Sequence, residues 1–151
     1  MDADVIFRAC NTIALSSWVL LILAPRWPLL TGALRWGVIG GLCLLYSVLV
    51  AVFLFRVEGG GFFSLAAVQQ LFTSPYAALA GWIHYLAFDL LVGLWIAARA
   101  DEMQISRFVQ APILLATFMF GPLGFLLFLG ILAVERLHAR TFAIEPSPTS
   151  R

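Results

Sequence analysis

Lysine is absent from this sequence, and charged residues of either sign are few. Nine arginines and eight acidic residues make up only 11% of the 151 residues, whereas about a quarter is usual for a soluble domain. The net charge of +1 comes with no basic cluster, which argues against a nucleic-acid partner. Apolar types make up 62%, and most charges fall between long apolar runs. This segregation is typical of an α-helical membrane protein that forms one domain.

Cysteine and histidine are also scarce, with two of each. Cys10 and Cys43 lie inside apolar runs, which favours small core residues over a disulfide. Both histidines are distant from these thiols, so the spacing of a zinc site is missing and no metal is predicted. Gly59-Gly60-Gly61 lacks the Lys and the Ser or Thr of a P-loop, and we interpret it as a hinge. No cofactor is predicted.

Four apolar runs are each long enough to cross a bilayer as a helix, at about residues 5–24, 34–55, 77–98 and 111–134. Between the second and third, Ser64 can cap a short interfacial or re-entrant helix. The sequence therefore predicts an all-α fold, a bundle of four transmembrane helices formed by residues 1–140. Residues 141–151 are predicted to be a disordered polar tail. Gly121 and Pro122 predict a kink in the fourth helix.

The N-terminus does not have the pattern of a cleaved signal peptide. Asp2 and Asp4 stand where a basic segment is expected, and no small-residue cleavage site follows the first apolar run. The first helix is therefore expected to stay in the mature protein. With four spans, five arginines would fall on the side of the termini and four on the other side, which slightly favours cytoplasmic termini.

The third apolar run contains the only acid and the only histidine found inside any of the four runs. Asp89 near the centre of a spanning helix costs roughly 3 kcal/mol on insertion scales, so it needs a partner or a purpose. His84 lies about 140° around the helix from Asp89, so the two side chains face mostly different neighbours. At about 1.5 Å per residue, Asp89 lies at the depth of Ser16 and within a turn of Gly121.

Two titratable groups near a proline kink suggest an intramembrane acid–base site, with His84 and Asp89 as the catalytic candidates. His84 could pair with Asn11 at its own depth. The candidate substrate-binding residues share a polar or aromatic side chain near the same levels: Asn11, Ser16, Tyr46, Trp82 and Tyr85. Two alternatives stay open. Such contacts also hold helix bundles together without any chemistry, and polar groups inside a membrane can conduct ions or protons.

One stretch resembles a known family. The run Trp82-Ile83-His84-Tyr85-Leu86-Ala87-Phe88-Asp89-Leu90 is similar to the Trp-x-His-x-Leu-x-x-Asp-Leu core of the abscisic-acid-deficient, or neoxanthin-synthase-like, membrane proteins. Three further segments fit this family in order: Pro25-Arg26-Trp27-Pro28, Gly61-Phe62-Phe63-Ser64-Leu65 and Phe120-Gly121-Pro122-Leu123-Gly124. The resemblance extends to about Leu132.

The resemblance implies a function related to carotenoids. Plant members are plastid membrane proteins implicated in making neoxanthin from violaxanthin, in which an epoxide opens to an allene. This chain has no transit segment, so it looks like the bacterial branch, which implies a multi-pass protein of the bacterial inner membrane.

The hypothesis is an isomerase-like enzyme or a binding protein that acts on a carotenoid or other isoprenoid lipid. The alternative is a non-catalytic subunit or assembly factor of a larger membrane complex. The expected partners are the lipid bilayer, an isoprenoid ligand, and either another membrane protein or further copies of the chain.

Overall fold

The computed structural model describes residues 2–144, with side chains as far as residue 137. Within that part of the chain six helices follow one another: α1 Ala3–Leu23, α2 Pro28–Arg56, α3 Leu65–Leu71, α4 Pro75–Glu102, α5 Arg107–Phe120 and α6 Pro122–Ile144. The all-α prediction is confirmed for these residues, as is the short helix between the second and third long helices. Three helices, α1, α2 and α4, are long and apolar enough to cross a membrane, which indicates a membrane protein.

Short polar signals and prolines set where the helices begin. The side chains of Asp2, Ser64 and Ser106 accept backbone N–H groups in the first turns of α1, α3 and α5. Pro28 and Pro75 stand in the first turns of α2 and α4, where a missing N–H removes no helix hydrogen bond. The α2 helix is irregular, because it widens to a π-helix over Ala33–Ile39 and tightens to a 3-10 turn over Leu54–Arg56.

The central element is α4, against which α1, α2, α5 and α6 all pack. Ile83, Leu90 and Ile96 along its length are completely buried. Half of its most apolar stretch lies inside the protein, whereas only 17% of the corresponding stretch of α2 does. In a membrane this packing is favoured by van der Waals contact and hydrogen bonds, because apolar side chains gain nothing by leaving lipid.

The contacts give the direction of each helix relative to α4. Asn11 early in α1 contacts Trp82 early in α4, and Arg26 just beyond α1 contacts Asp101 near the end of α4. Therefore α1 runs parallel to α4. A ring near the end of α2 stacks on Tyr76 near the start of α4, with the ring centroids 4.2 Å apart, so α2 is antiparallel.

The last two helices form a hairpin. α5 runs antiparallel to α4, because Gln110 near its start bonds to Asp101 and the Phe118 carbonyl near its end accepts a hydrogen bond from Tyr85. α5 therefore begins at the level where α4 ends and stops near the middle of α4.

After Gly121 the chain turns back. Trp95, nearly two turns beyond the middle of α4, contacts the ring of Phe128 in α6, with 5.7 Å between the ring centroids. Further on, Glu135 of α6 lines the same surface groove as Arg99 near the end of α4. α6 thus runs parallel to α4 and returns to the face from which α5 entered.

The prediction of a single fourth helix over residues 111–134 is wrong. The chain breaks at Gly121 into α5 and α6, and the first of these has only 14 residues. Apolar composition could not reveal this, because both arms of the hairpin are as apolar as a spanning helix. The proline kink predicted at Pro122 is thus a reversal of direction. Residues 141–144 of the predicted tail belong to α6, and the rest of it lies outside the described residues.

This hairpin changes the expected membrane topology. If α1, α2 and α4 each cross the membrane and the hairpin of α5 and α6 re-enters it, the described N-terminus and the end of α6 lie on opposite faces. Of the arginines with described side chains, Arg8 and Arg56 lie on the N-terminal face, and five lie on the other: Arg26, Arg35, Arg99, Arg107 and Arg136. An excess of arginine marks the cytoplasmic face, so that face is expected to be the one at which α1 and α4 end.

We therefore expect reporter fusions at the two ends of the chain to give opposite signals, with the C-terminal fusion cytoplasmic. A fusion after Arg56 should agree with the N-terminal fusion, and a fusion after Arg26 should agree with the C-terminal one. Equal signals from both ends would contradict the hairpin and support four spans.

Candidate functional site

The hairpin tip, residues 120–122, lies directly over the carboxyl group of Asp89. A β-carbon added at Gly121 would lie 2.5 Å from Oδ1 of Asp89 and 2.9 Å from Oδ2. Gly121 also has a φ of 37°, in a region that residues with side chains rarely adopt. Glycine is therefore required here twice, for the turn and for the close approach of the backbone to the carboxyl group.

Pro122 explains the position of the Tyr85 hydroxyl. In a continuous helix the Phe118 carbonyl would accept from the N–H four residues later, but that residue is Pro122, which has none. The Tyr85 hydroxyl donates to this carbonyl instead, at 2.6 Å. The Tyr85 side chain thus joins α4 to the end of α5, and its oxygen also lies close to the Asp89 carboxyl.

Asp89 is only partly satisfied by these contacts. Its Oδ2 is buried and accepts no hydrogen bond within the described part of the chain. A buried carboxyl oxygen without a partner costs free energy, so Oδ2 has capacity to accept a hydrogen bond from a bound group. Ser16 and Tyr46, two candidate site residues with hydroxyl groups, make no described hydrogen bond to Asp89, whereas the Tyr85 hydroxyl lies beside it.

A groove of about 420 Å³ opens beside this site, between α1, α4 and α5. We call it the Asn11 groove; among its lining residues are Asn11, Trp82, Tyr85 and Phe118. Its walls are mainly apolar. Oδ1 of Asn11 accepts a hydrogen bond from the indole N–H of Trp82 at 2.9 Å. Because an indole can only donate, the other end of the Asn11 amide must be its NH₂ group, which donates in none of the described hydrogen bonds.

His84 lies on another side of α4, in a separate groove of about 320 Å³ between α2, α3 and α4. The imidazole stacks on Phe88 with 4.5 Å between ring centroids and lies 5.3 Å from the ring of Tyr46. We call this the His84 groove. The pairing of His84 with Asn11 considered from the sequence is wrong, because Asn11 bonds to Trp82.

The structure therefore separates the predicted site residues into two groups. Asn11, Trp82 and Tyr85 share the Asn11 groove, with Asp89 behind Tyr85. Tyr46 and His84 share the other groove, and the exposed Ser16 lines neither. The buried hydroxyl on α1 is that of Ser17, which donates to the backbone of its own helix. His84 and Asp89 keep their catalytic roles as a prediction, but they face different neighbours, as their angular separation predicted.

Sequence reasoning missed a second polar cluster, at the face where α1 and α4 end. The guanidinium of Arg26, whose side chain is 5% exposed, donates to Asp101 at 2.8 Å and also to Gln110. The Gln110 amide in turn donates to Asp101 at 2.9 Å, and Gln110 itself is 1% exposed. The sequence feature that indicates this cluster is Gln110, a polar residue next to the apolar stretch of α5.

Replacing Tyr85 with Phe is expected to destabilise the hairpin. The substitution leaves the Phe118 carbonyl without a donor, and an unsatisfied buried acceptor costs about 1–3 kcal/mol. The matched control is Tyr46→Phe, because the Tyr46 hydroxyl makes no hydrogen bond in the described structure. Thermal melting in detergent should show a loss for Tyr85→Phe alone; equal melting of the two variants would remove the Tyr85 hydroxyl from the hairpin contact.

Comparison with known proteins gives one result. A family model described as ABA DEFICIENT 4-like matches residues 5–128, which include all the residues of the Asn11 groove and the hairpin tip. Searches of the curated proteins and of the solved structures found no match.

Proposed function

The chain belongs to the ABA DEFICIENT 4-like family, and from this premise we propose that it binds an oxygenated isoprenoid lipid, such as a carotenoid, in the Asn11 groove. The observation that carries this proposal is the free NH₂ group of Asn11 in a mainly apolar groove. A hydrogen-bond donor held in apolar surroundings selects a ligand that is apolar apart from an oxygen acceptor. A cyclic end group with a hydroxyl or epoxide oxygen has this chemistry.

The surroundings of the groove support a membrane-dissolved ligand. Leu15 and Met119 at its edge are each 53% exposed, on a surface that faces lipid if α1 and α4 cross the bilayer. A long polyene could therefore leave the groove between these side chains and continue along the helices. The bacterial inner membrane is the location that we propose, with the arginine-rich face in the cytoplasm.

We further propose that Asp89 and Tyr85 supply any acid–base chemistry in this groove. Opening an epoxide to an allenic alcohol is an isomerisation, in which the oxygen gains a proton and a carbon nearby loses one. Tyr85 lines the groove, and Asp89 close to it has a carboxyl oxygen that accepts no hydrogen bond within the described part of the chain. His84 serves less well, because the body of α4 separates it from the groove.

The test is lipid extraction from the purified protein, followed by mass spectrometry. We expect an oxygenated isoprenoid in the parent and roughly a fivefold lower amount in Asn11→Leu, since a neutral hydrogen bond contributes about 1 kcal/mol. His84→Gln is the matched control and should retain the ligand, because it alters the other groove. Asp89→Asn should bind as the parent does and lose any conversion of the ligand.

Two outcomes would contradict the proposal. Extraction of phospholipid alone from the parent would mean that the groove holds no isoprenoid. Equal loss of ligand in Trp82→Phe and Asn11→Leu, together with equally lowered melting temperatures, would mean that the Asn11–Trp82 contact matters only for packing.

A further inference from the structure

A second cavity lies at the arginine-rich face, far from the Asn11 groove. It has a volume of about 280 Å³ and lies between the end of α1, the start of α2 and the end of α4. Its polar lining residues are Arg26, Thr31, Arg35 and Asp101. No step of the proposed function uses any of them.

The buried guanidinium of Arg26 has donor capacity left for a ligand. Its Nε donates to the Leu21 carbonyl, and its Nη1 donates to the Ala97 carbonyl, Asp101 and Gln110. Its Nη2 takes part in none of the described hydrogen bonds and is not among the buried unsatisfied atoms, so it is accessible, and Arg26 lines the cavity. An arginine fixed by four acceptors presents this remaining nitrogen at low conformational cost.

The charges of the cavity favour an anion. Arg26 and Asp101 form an ion pair at 2.8 Å, so their charges cancel and the positive charge of Arg35 remains unpaired among the described residues. Arg35 is exposed and makes no hydrogen bond or ion pair within residues 2–137. Two arginines and one aspartate line this cavity, and their net charge of +1 matches a singly charged phosphodiester.

The location favours a lipid over a soluble ligand. The cavity lies where α1 and α4 end, at headgroup depth for helices that cross the bilayer. Two indoles next in sequence to lining residues of the cavity are strongly exposed: Trp27, before Pro28, at 64%, and Trp36, after Arg35, at 80%. Exposed indoles are typical of the membrane interface.

We propose that this cavity binds the phosphodiester of an anionic phospholipid in the leaflet at the arginine-rich face. The lipid phosphate lies between Nη2 of Arg26 and the guanidinium of Arg35, and its acyl chains lie along α2 beside Trp36. Free inorganic phosphate shares the same chemistry, so the experiment separates the two sources.

The test uses the full chain in phosphatidylcholine nanodiscs, with phosphatidylglycerol or inorganic phosphate added. Native mass spectrometry and thermal melting report binding. We expect phosphatidylglycerol to raise the melting temperature of the parent and to bind roughly tenfold more weakly to Arg35→Gln. Arg56→Gln is the matched control, because Arg56 is an exposed arginine on the opposite face. Its binding should equal that of the parent.

The other possible outcomes either support or contradict the proposed site. Stabilisation by inorganic phosphate that disappears in Arg35→Gln supports the site and assigns it to a soluble phosphate. Binding of phosphatidylglycerol that is equal in the parent and in Arg35→Gln overturns the site, as does equal loss in Arg56→Gln. Arg35→Gln must melt like the parent in phosphatidylcholine alone, as expected for an exposed side chain without described bonds.

Discussion

Gly121→Ala is expected to lower the stability of the protein by about 2–5 kcal/mol. The new β-carbon would meet the Asp89 carboxyl at 2.5 Å, and the backbone at a φ of 37° is strained for any residue that has a side chain. Both contributions, steric overlap and strain, are of order 1–3 kcal/mol. The measurement is the melting temperature or the midpoint of denaturant unfolding in detergent.

The matched control is Gly37→Ala in α2. A β-carbon at Gly37 meets no atom within 4 Å, and glycine is a poor helix former, so this variant should be neutral or more stable by up to about 1 kcal/mol. The double variant Gly121→Ala/Asp89→Ala removes the overlap with the carboxyl group but keeps the backbone strain. It should therefore recover part of the loss. A Gly121→Ala variant as stable as the parent would show that the tip does not sit on Asp89.

Arg26→Met is expected to cost about 3 kcal/mol. The substitution shortens the side chain and removes the guanidinium that donates to Asp101, Gln110 and two backbone carbonyls. Among the described contacts, Asp101 keeps only the hydrogen bond from the Gln110 amide. Values of about 3–5 kcal/mol are usual when one partner of a buried ion pair is removed. The lower end applies here because the Asp101 side chain is 39% exposed.

Arg99→Met provides the comparison for Arg26. Arg99 pairs with Glu102 at 2.7 Å, but their side chains are 50% and 64% exposed, so this loss should stay within about 1 kcal/mol. The melting temperatures of the two variants in detergent therefore separate the buried cluster from an exposed pair. Equal melting temperatures would mean that the Arg26 cluster contributes no more than a surface ion pair.

Much of the fold was predictable from the pattern of apolar residues. The ranges predicted for the first three long helices, 5–24, 34–55 and 77–98, each overlap a helix of the structure. Hydropathy shows which residues are apolar but not where the chain reverses its direction. The apolar run across Gly121 was therefore predicted to be one spanning helix instead of the two arms of a hairpin.

The candidate site was predictable in part. Counting depth along the helices placed Asp89 near Gly121, and the structure brings these two residues into contact. The same count placed His84 beside Asn11, but rotation about α4 turns the imidazole toward α2 instead. Depth alone cannot decide which face of a helix a residue occupies, because that depends on the crossing of every neighbouring helix. The Arg26 cluster could not be predicted for the same reason, because its members come from three separate segments that only the packing of the helices brings together.

The hairpin also sets an order for insertion of the protein into the membrane. Translation produces α4 before α5, so α4 enters the bilayer while nothing covers Asp89. The apolar residues around the aspartate in α4 must offset its insertion cost of roughly 3 kcal/mol. Residues 108–134, which form most of the hairpin, contain no charge. They can therefore enter from the face at which α4 has just emerged, without translocating a charged group, and close over the carboxyl group last.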